Sequence, residues 1–209
     1  MNTDTFLPEA TLADPSDSVG QRDVETPPTG RRLLLTLLFT DIVGSTRLAE
    51  RLGDDAWHDL LHRHREVVRA QIARSSGREV DSCGDGFFAI FPAPALALRC
   101  AAEVCRSLLA LGTEIRAGVH AGECVFANGG VSGIAVHVAA RLVALARPGE
   151  VLVSETVKDL VAGSGLAFAD RGRRALKGLS GSRKLFALAA PDARNAEHGL
   201  PSAGRFSLA

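Results

Sequence analysis

Two acidic residues, Asp41 and Asp85, stand where a carboxylate could take part in phosphate chemistry. Asp41 follows the apolar run 33–39, whose length and composition are typical of a buried strand. The next residues, Gly44-Ser45-Thr46, favour a sharp turn into a helix N-terminus. Free N–H groups at such an end attract phosphate, and a carboxylate beside a phosphate needs a cation between them. Mg²⁺ is the usual cation, so Asp41 is a candidate metal ligand.

A simpler role for Asp41 is helix capping, because Asp is a favoured N-cap residue. A second stretch favours the metal hypothesis. Gly84-Asp85-Gly86 lies between two short apolar runs, a pattern that predicts a hairpin. In a hairpin alone, Asp85 would be only a turn residue. If the hairpin lies next to the first strand, the two carboxylates can converge on one or two metal ions.

A second candidate group lies in the otherwise apolar segment 133–146. His137 and Arg141 are four residues apart there, and therefore lie on one face of the predicted helix. A guanidinium on so apolar a helix needs a partner. That partner could be a structural carboxylate or a phosphate, and the residues alone leave both open. His120, on a predicted strand, is a possible acid or base, although a hydrogen-bonded, half-buried histidine is the commoner case.

Composition sets the bounds on class. The chain has 209 residues, is 46% hydrophobic, and carries 24 basic and 24 acidic residues. This balance gives no electrostatic case for binding nucleic acid or a membrane. The four cysteines show no C-x-x-C or zinc spacing and indicate a reducing compartment. With no signal peptide and no membrane-spanning run, we predict a soluble, cytoplasmic protein.

The elements that must position these residues form one predicted domain, 32–190, between a disordered leader at 1–31 and a disordered tail at 191–209. Strands and hairpins alternate with helices in a mixed order, which predicts an α+β fold with a mostly antiparallel sheet. The predicted helices cover about 46–51, 56–74, 95–111, 133–146 and 154–161. The predicted strands are 33–39, the hairpin 78–91, 114–122, 150–153 and 184–188, with a turn at 128–130 and short strands and loops over 163–177.

These stretches together resemble the class III nucleotidyl cyclase catalytic domain, the adenylate and guanylate cyclase homology domain. The resemblance covers about residues 33–190 and is most similar to a bacterial branch in which His replaces an Asn. It rests on several motifs in the family's order: Phe-Thr-Asp-Ile-Val-Gly-Ser-Thr at 39–46, Gly-Asp-Gly-Phe at 84–87, Gly-Val-His-Ala-Gly-Glu at 118–123, Ala-Val-His-Val-Ala-Ala-Arg at 135–141, and Pro-Gly-Glu-Val-Leu-Val-Ser at 148–154.

The resemblance implies a ferredoxin-like βαββαβ core with extra C-terminal strands and a helix. It also implies a homodimer in which two catalytic domains meet head to tail and share composite sites. Asp41, Ile42 and Asp85 would bind two Mg²⁺ or Mn²⁺ ions per site. The turn Ile42, Val43, Gly44, Ser45 and Thr46 would hold the nucleoside triphosphate. Arg141 and His137 would be the catalytic residues, with Arg141 contributed by the partner chain.

The implied reaction is attack of the ribose 3′-hydroxyl on the α-phosphorus of the same nucleotide, with pyrophosphate leaving. In that scheme one metal lowers the pKa of the hydroxyl and a second neutralises the β- and γ-phosphates. Arg141 offsets the charge that builds on the α-phosphoryl oxygens. The leading hypothesis is therefore an adenylate cyclase that converts ATP to cyclic AMP.

Three positions depart from the family pattern. Asp81 stands where a base-selecting lysine is expected, Gly130 where the paired aspartate is expected, and His137 where a ribose-orienting asparagine is expected. Asp81 only accepts hydrogen bonds, so it could receive the amino group of adenine or cytosine, or the N–H edge of guanine. The alternatives are thus a pyrimidine (UTP or CTP) or guanylate cyclase with the same mechanism, or a degenerate nucleotide-binding or dimerisation domain. His137 can donate to the ribose ring oxygen and is a plausible substitute for asparagine.

Overall fold

The computed structural model describes residues 30–127 and 130–189. The expected leader and tail lie outside these ranges, except that Arg31 already belongs to the first strand. The elements in chain order are β1 Arg31–Ile42, α1 Ser45–Leu52, α2 Asp54–Arg74, β2 Arg78–Cys83, β3 Gly86–Phe91, α3 Pro94–Leu109, β4 Ile115–Ala127, β5 Gly130–Ser132, α4 Ile134–Leu145, β6 Val151–Ser154, α5 Glu155–Leu160, β7 Phe168–Ala175 and β8 Ser182–Leu188.

The strands form one sheet in the order β2-β3-β1-β4-β6-β8-β7, and β5 pairs with β4 outside this path. All pairs are antiparallel except β4 and β6. The order β2-β3-β1-β4, with helices after β1 and β3, is the ferredoxin-like βαββαβ arrangement. β6, α5, β7 and β8 extend it on one side. The predicted α+β fold is therefore confirmed.

Helices cover the two faces of the sheet. α2, α3 and α5 pack on one face, around a core that includes Phe87, Phe91 and Leu98. α4 packs on the other face, where Phe39 and Phe88 stack with ring centroids 4.4 Å apart. Across the part of the chain that the structure describes, no helix has both the length and the apolar character needed to span a membrane.

Several predicted boundaries were wrong. β1 and β4 are longer than expected because they pair along their whole lengths, from Arg31 opposite Phe126 to Ile42 opposite Ile115. The run at the start of β1 is not fully buried, since Leu34 is 68% exposed. Part of the expected turn at 128–130 is strand, because Gly130 begins β5. β7 is one continuous, largely exposed edge strand. Its polar sequence lacks the apolar alternation that predicts a strand, so it was expected to be short strands and loops.

Candidate active site

Asp41 lies near the C-terminal end of β1, directly opposite Arg116 on β4. The guanidinium donates from Nε at 2.9 Å and from Nη2 at 2.5 Å to Asp41 Oδ2. Both side chains are partly buried. The helix-capping role for Asp41 is wrong, because the N-cap residue of α1 is Gly44. Arg116 was not recognised from the sequence, since only the strand register pairs it with Asp41.

Asp85 lies in the turn between β2 and β3 and interacts electrostatically with Asp41. Burial raises the pKa of the Asp85 carboxyl, and the negative charge of Asp41 raises it further. Hydrogen bonds from the Ser45 hydroxyl and the Ile42 backbone act in the opposite direction. The Asp85 Oδ2 atom is nevertheless buried without a hydrogen-bond partner among the residues that the structure describes. The structure thus brings together the two carboxylates that the sequence analysis singled out.

This pair fits a divalent cation of the Mg²⁺ class. Carboxylate oxygens are the hard donors such ions prefer, and a buried carboxylate oxygen without a partner has an unmet need for positive charge. Within the described ranges, no group of three or more His, Cys, Asp or Glu side chains could hold a metal. Two carboxylates alone match Mg²⁺, which commonly takes its remaining ligands from water and substrate phosphates.

The turn after Asp41 leads into α1 without a side-chain cap. Gly44 has φ 64°, a left-handed conformation that glycine adopts without strain, and no side chain caps the helix. The first-turn N–H groups of α1 therefore lack intrahelical partners, and no acidic residue lies there. The expectation that the segment 42–46 holds phosphate stays a prediction, and one N–H group of that segment already has a backbone partner. The Val43 N–H donates to the Glu114 carbonyl at 2.9 Å and is committed to the fold.

His137 and Arg141 lie on α4, as predicted. His137 is exposed, and Arg141 is partly exposed. The Arg141 Nε donates to the backbone carbonyl of Lys177, at 3.1 Å, in the loop between β7 and β8. Among the residues that the structure describes, no ion pair includes Arg141, so the partner that it has there is a backbone carbonyl and not a carboxylate. Lys177, at the end of the segment predicted as short strands and loops, therefore lies next to this arginine.

The site residues therefore form two groups within one chain. The carboxylate group contains Asp41 and Asp85, and the α4 group contains His137 and Arg141. Arg116 connects them indirectly, because its Nη1 donates to the Ala144 carbonyl near the end of α4 at 3.3 Å. Within residues 30–127 and 130–189, no hydrogen bond or ion pair joins the two groups directly.

The two positions that depart from the base-selecting pattern are both exposed. Asp81 lies on β2 opposite Phe88, after a register shift that follows Glu79. Gly130 lies at the start of β5, where a Cβ atom would meet nothing closer than the Ala127 carbonyl at 3.6 Å. Neither position contributes a side chain to the core, so both are open to contact with a ligand.

His120 belongs to neither group. Its Nδ1 lies 2.7 Å from the Ser154 hydroxyl in a buried pair. Burial, followed by the nearby charge of Arg183, lowers the pKa of His120 to about 4. The imidazole is therefore neutral at pH 7 and hydrogen-bonded within the fold, as the commoner of the two sequence interpretations proposed.

Comparison with known proteins identifies the family. Residues 31–190 match the family model described as the adenylate and guanylate cyclase catalytic domain, so the chain belongs to this family. It is 31% identical over 158 residues to putative adenylate cyclase 3 of Rhizobium meliloti (strain 1021), covering 71% of this chain and 27% of that protein. It is 29% identical over 178 residues to a pH-sensitive adenylate cyclase of Mycobacterium tuberculosis (strain CDC 1551 / Oshkosh), covering 81% of this chain and 44% of that protein.

Solved structures of cyclases share the fold of this chain. The adenylyl cyclase CyaB from P. aeruginosa superimposes with a TM-score of 0.73 at 24% identity, covering 78% of this chain and 97% of that one. An adenylate/guanylate cyclase/hydrolase from Silicibacter pomeroyi gives a TM-score of 0.68 at 29% identity, covering 77% of this chain and 99% of that one. The chain thus carries a class III adenylate and guanylate cyclase catalytic domain, the family that the sequence motifs indicated. It spans less than half the length of the two curated relatives described above.

Proposed function

We propose that this chain is an active, metal-dependent nucleotidyl cyclase that converts ATP to cyclic AMP and pyrophosphate. The observation that carries the proposal is the convergence of Asp41 and Asp85, with the Oδ2 atom of Asp85 buried and without a partner. The uncapped first turn of α1 follows Asp41 within a few residues. A carboxylate pair beside a helix N-terminus is suited to a metal-bound triphosphate.

In this proposal Asp41, Asp85 and the backbone of Ile42 hold Mg²⁺ or Mn²⁺. When bound, the two ions would lower the pKa of the ribose 3′-hydroxyl and neutralise the β- and γ-phosphates. The 3′-oxygen forms a bond to the α-phosphorus, the bond to the bridging oxygen of the β-phosphate breaks, and the hydroxyl proton passes to solvent. The N–H groups of Ser45 and Thr46 bind the departing pyrophosphate.

Arg116 adds a positive charge beside the carboxylates. Its guanidinium already forms two hydrogen bonds to Asp41, so it lies next to the region where the phosphates would be held. A guanidinium binds phosphate through the same forked donors that it uses for a carboxylate. We infer that Arg116 exchanges part of its contact with Asp41 for a phosphate oxygen when nucleotide binds.

The active site is proposed to be composite, with α4 supplied by the second subunit of a homodimer. Arg141 is held by its own β7–β8 loop, through the carbonyl of Lys177, and not by its own carboxylate pair. An exposed His137 one helical turn away presents a second donor on the same side of α4. From the partner, Arg141 would offset charge on the α-phosphoryl oxygens and His137 would donate to the ribose ring oxygen.

The base preference is the least constrained part of the proposal. ATP is favoured because Asp81, an acceptor only, can receive the amino group of adenine. The same carboxylate can receive the amino group of cytosine or the N–H edge of guanine, and Gly130 offers no side chain. A guanylate or pyrimidine cyclase with the same mechanism is therefore the alternative within this class.

The test is turnover with each nucleoside triphosphate. Purified protein with Mn²⁺ is incubated separately with ATP, GTP, CTP and UTP, and pyrophosphate and cyclic products are followed by chromatography and mass spectrometry. Cyclic AMP from ATP is expected, and the Asp85→Asn variant should form it at a rate lower by about 10² or more. A cyclic pyrimidine or guanosine product would keep the mechanism and replace the substrate. The absence of product from all four would contradict the proposal.

A second candidate function is a degenerate domain that binds a nucleotide or a partner without turnover. The departures at Asp81 and Gly130 favour it, because they alter both base-selecting positions. In this case a non-hydrolysable ATP analogue would bind while no cyclic product formed. The Asp41→Ala variant would also leave the cellular phenotype of the protein intact.

A further inference from the structure

A small basic pocket lies beside the middle of β4, the end of β6 and the start of β8, and its lining does not include the carboxylate pair. Its cavity has a volume of about 160 Å³. Three cationic side chains line it against a single carboxylate, that of Glu155. We call it the basic pocket, and define it by its floor and its cationic side: His120, Ser154, Arg173, Ser182, Arg183 and Lys184.

Two of the three cations already have partners. Lys184 forms an ion pair with Asp170 at 3.2 Å. Arg173 donates to the hydroxyl and the backbone carbonyl of Ser182, at 3.2 and 3.0 Å. Arg183 differs, because its Nε atom is buried and has no hydrogen-bond partner in the described part of the chain. Arg183 therefore retains the capacity to bind an acceptor.

The floor of the basic pocket is polar and uncharged. The Ser154 hydroxyl oxygen accepts from the Val157 N–H at 3.4 Å and lies 2.7 Å from His120 Nδ1. Burial lowers the pKa of His120 to about 4, so the imidazole is neutral, and the pair carries no charge whichever of the two groups donates. No negative charge on the floor therefore satisfies Arg183.

We propose that the basic pocket binds a small oxyanion of the phosphate class, with Arg183 as its principal ligand and the Ser182 hydroxyl as a further donor. An oxyanion has several oxygen atoms that can accept hydrogen bonds from a guanidinium. It would therefore supply the acceptor that Arg183 Nε lacks within the described residues. A cavity of about 160 Å³ holds several waters or one such anion, and is smaller than the cavities that take drug-sized ligands, roughly 300 Å³ and above.

The position of the basic pocket links it to α4. Arg173 and Ser182 join the two strands at the base of the β7–β8 loop. That loop carries Lys177, whose carbonyl accepts from Arg141 Nε at 3.1 Å. An anion that tightens the base of the loop would therefore change how firmly Arg141 is held. The bound anion would then regulate turnover through Arg141. This regulatory step rests on the proposed cyclase function, whereas binding of the anion to the basic pocket does not.

The binding test titrates inorganic phosphate at constant ionic strength into three versions of the full chain, followed by calorimetry without nucleotide or metal. They are the wild type, Arg183→Gln, and the charge-matched control Arg174→Gln. Arg174 lies opposite Arg183 on β7 but does not line the basic pocket. Wild type and Arg174→Gln should bind phosphate alike, and Arg183→Gln at least about tenfold more weakly. Acetate, titrated in parallel, distinguishes a phosphate from a carboxylate ligand.

Equal phosphate affinity in wild type and Arg183→Gln would contradict the proposed site. An equal loss of phosphate affinity in Arg183→Gln and Arg174→Gln would also contradict it, because it would indicate general charge attraction. Arg183→Lys keeps the charge without Nε, and should bind with intermediate affinity if the fold is intact.

The regulatory step is tested by the turnover rate at saturating ATP with and without phosphate. A change of about twofold or more in wild type that is absent in Arg183→Gln supports it, and no change overturns it. Wild type that binds phosphate but makes no cyclic product would refute the cyclase proposal alone.

Discussion

At the scale of single residues, we expect the Asp85 carboxylate to be needed for activity but not for the stability of the fold. Its pKa is raised by burial and by Asp41, and its Oδ2 atom is buried without a hydrogen-bond partner within the described ranges. An uncharged Asn of the same shape removes the unfavourable charge, so Asp85→Asn should unfold at an equal or higher urea concentration than wild type. Cyclase activity should fall by about 10² or more, because the metal loses a ligand.

Urea denaturation and an initial-rate assay measure both effects on the same preparation. Asp81→Asn is the matched control, because it removes an exposed carboxylate from the adjacent strand. It should leave stability unchanged and alter only the preference among bases. Reduced stability in Asp85→Asn together with unchanged activity would show that the carboxylate is structural.

The buried side chain of His64 should make the folded protein less stable at acid pH. It lies on α2, is 1% exposed, and packs edge-on against Phe87 with ring centroids 5.5 Å apart. Neither of its ring nitrogens has a hydrogen-bond partner in the described part of the chain. Burial, followed by the charge of Arg65, lowers the pKa of His64 from 6.5 to about 4. The unfolded chain therefore binds the proton first, so stability is greatest above pH 6.5 and falls as the pH drops towards 4. The loss over that window is on the order of 3 kcal/mol.

The His64→Leu variant should flatten this dependence. Leucine fills a similar volume without a titratable group, so the difference in unfolding free energy between pH 7.5 and pH 5 should shrink. Part of the dependence will remain, because burial also lowers the pKa of His120 to about 4. The exposed His62 provides the control, and His62→Leu should retain the wild-type slope. An unchanged slope in His64→Leu would show that His64 is not the acid-sensitive group.

At the scale of elements, the close contact between β4 and α4 determines where α4 lies. A Cβ atom at Gly118 would lie 2.3 Å from the Val143 nitrogen and 2.8 Å from the Ala139 carbonyl oxygen, both on α4. Gly118→Ala should therefore displace α4 and destabilise the fold by about 1–3 kcal/mol. Because α4 carries Arg141, the turnover rate should fall more than the apparent nucleotide affinity.

Gly130→Ala is the control for this change, because a Cβ atom there meets nothing closer than 3.6 Å. Thermal unfolding should separate the two variants by several degrees. Wild-type stability in Gly118→Ala would mean that α4 moves away from β4 without cost, and would remove the argument that this packing positions Arg141.

The elements also show how far the sequence could predict this molecule. The strand before Asp41, the hairpin around Asp85 and helix α4 follow from local apolar patterns and glycine turns, and the structure contains all three. The pairing of Asp41 with Arg116 does not follow, because strand register depends on contacts between residues 75 positions apart. β7 was not predicted as one strand because its pairing with β8 leaves a polar, exposed surface without an apolar pattern.

At the scale of the whole molecule, the arrangement of two separate groups in one chain favours a dimeric enzyme. The carboxylate group is near the end of β1 and the turn after β2, while Arg141 is tied to the β7–β8 loop. A two-fold symmetric dimer would bring the carboxylate group of one subunit against α4 of the other, and would do so twice. Each subunit would then supply the carboxylate group of one site and the α4 group of the other site.

This arrangement predicts complementation between inactive variants. Asp41→Asn and Arg141→Ala should each be inactive as homodimers, because every site lacks one half. After mixing and exchange, about half of the dimers are mixed, and each has one complete site of two, so roughly a quarter of wild-type activity should return. The control is a mixture of Asp41→Asn with Asp85→Asn, whose defects fall in the same half and leave every site incomplete. If the first mixture stayed as inactive as the control while exchange was verified by mass spectrometry, the two groups could not belong to a shared site. Recovery in the first mixture alone would place Arg141 across the subunit interface from Asp41.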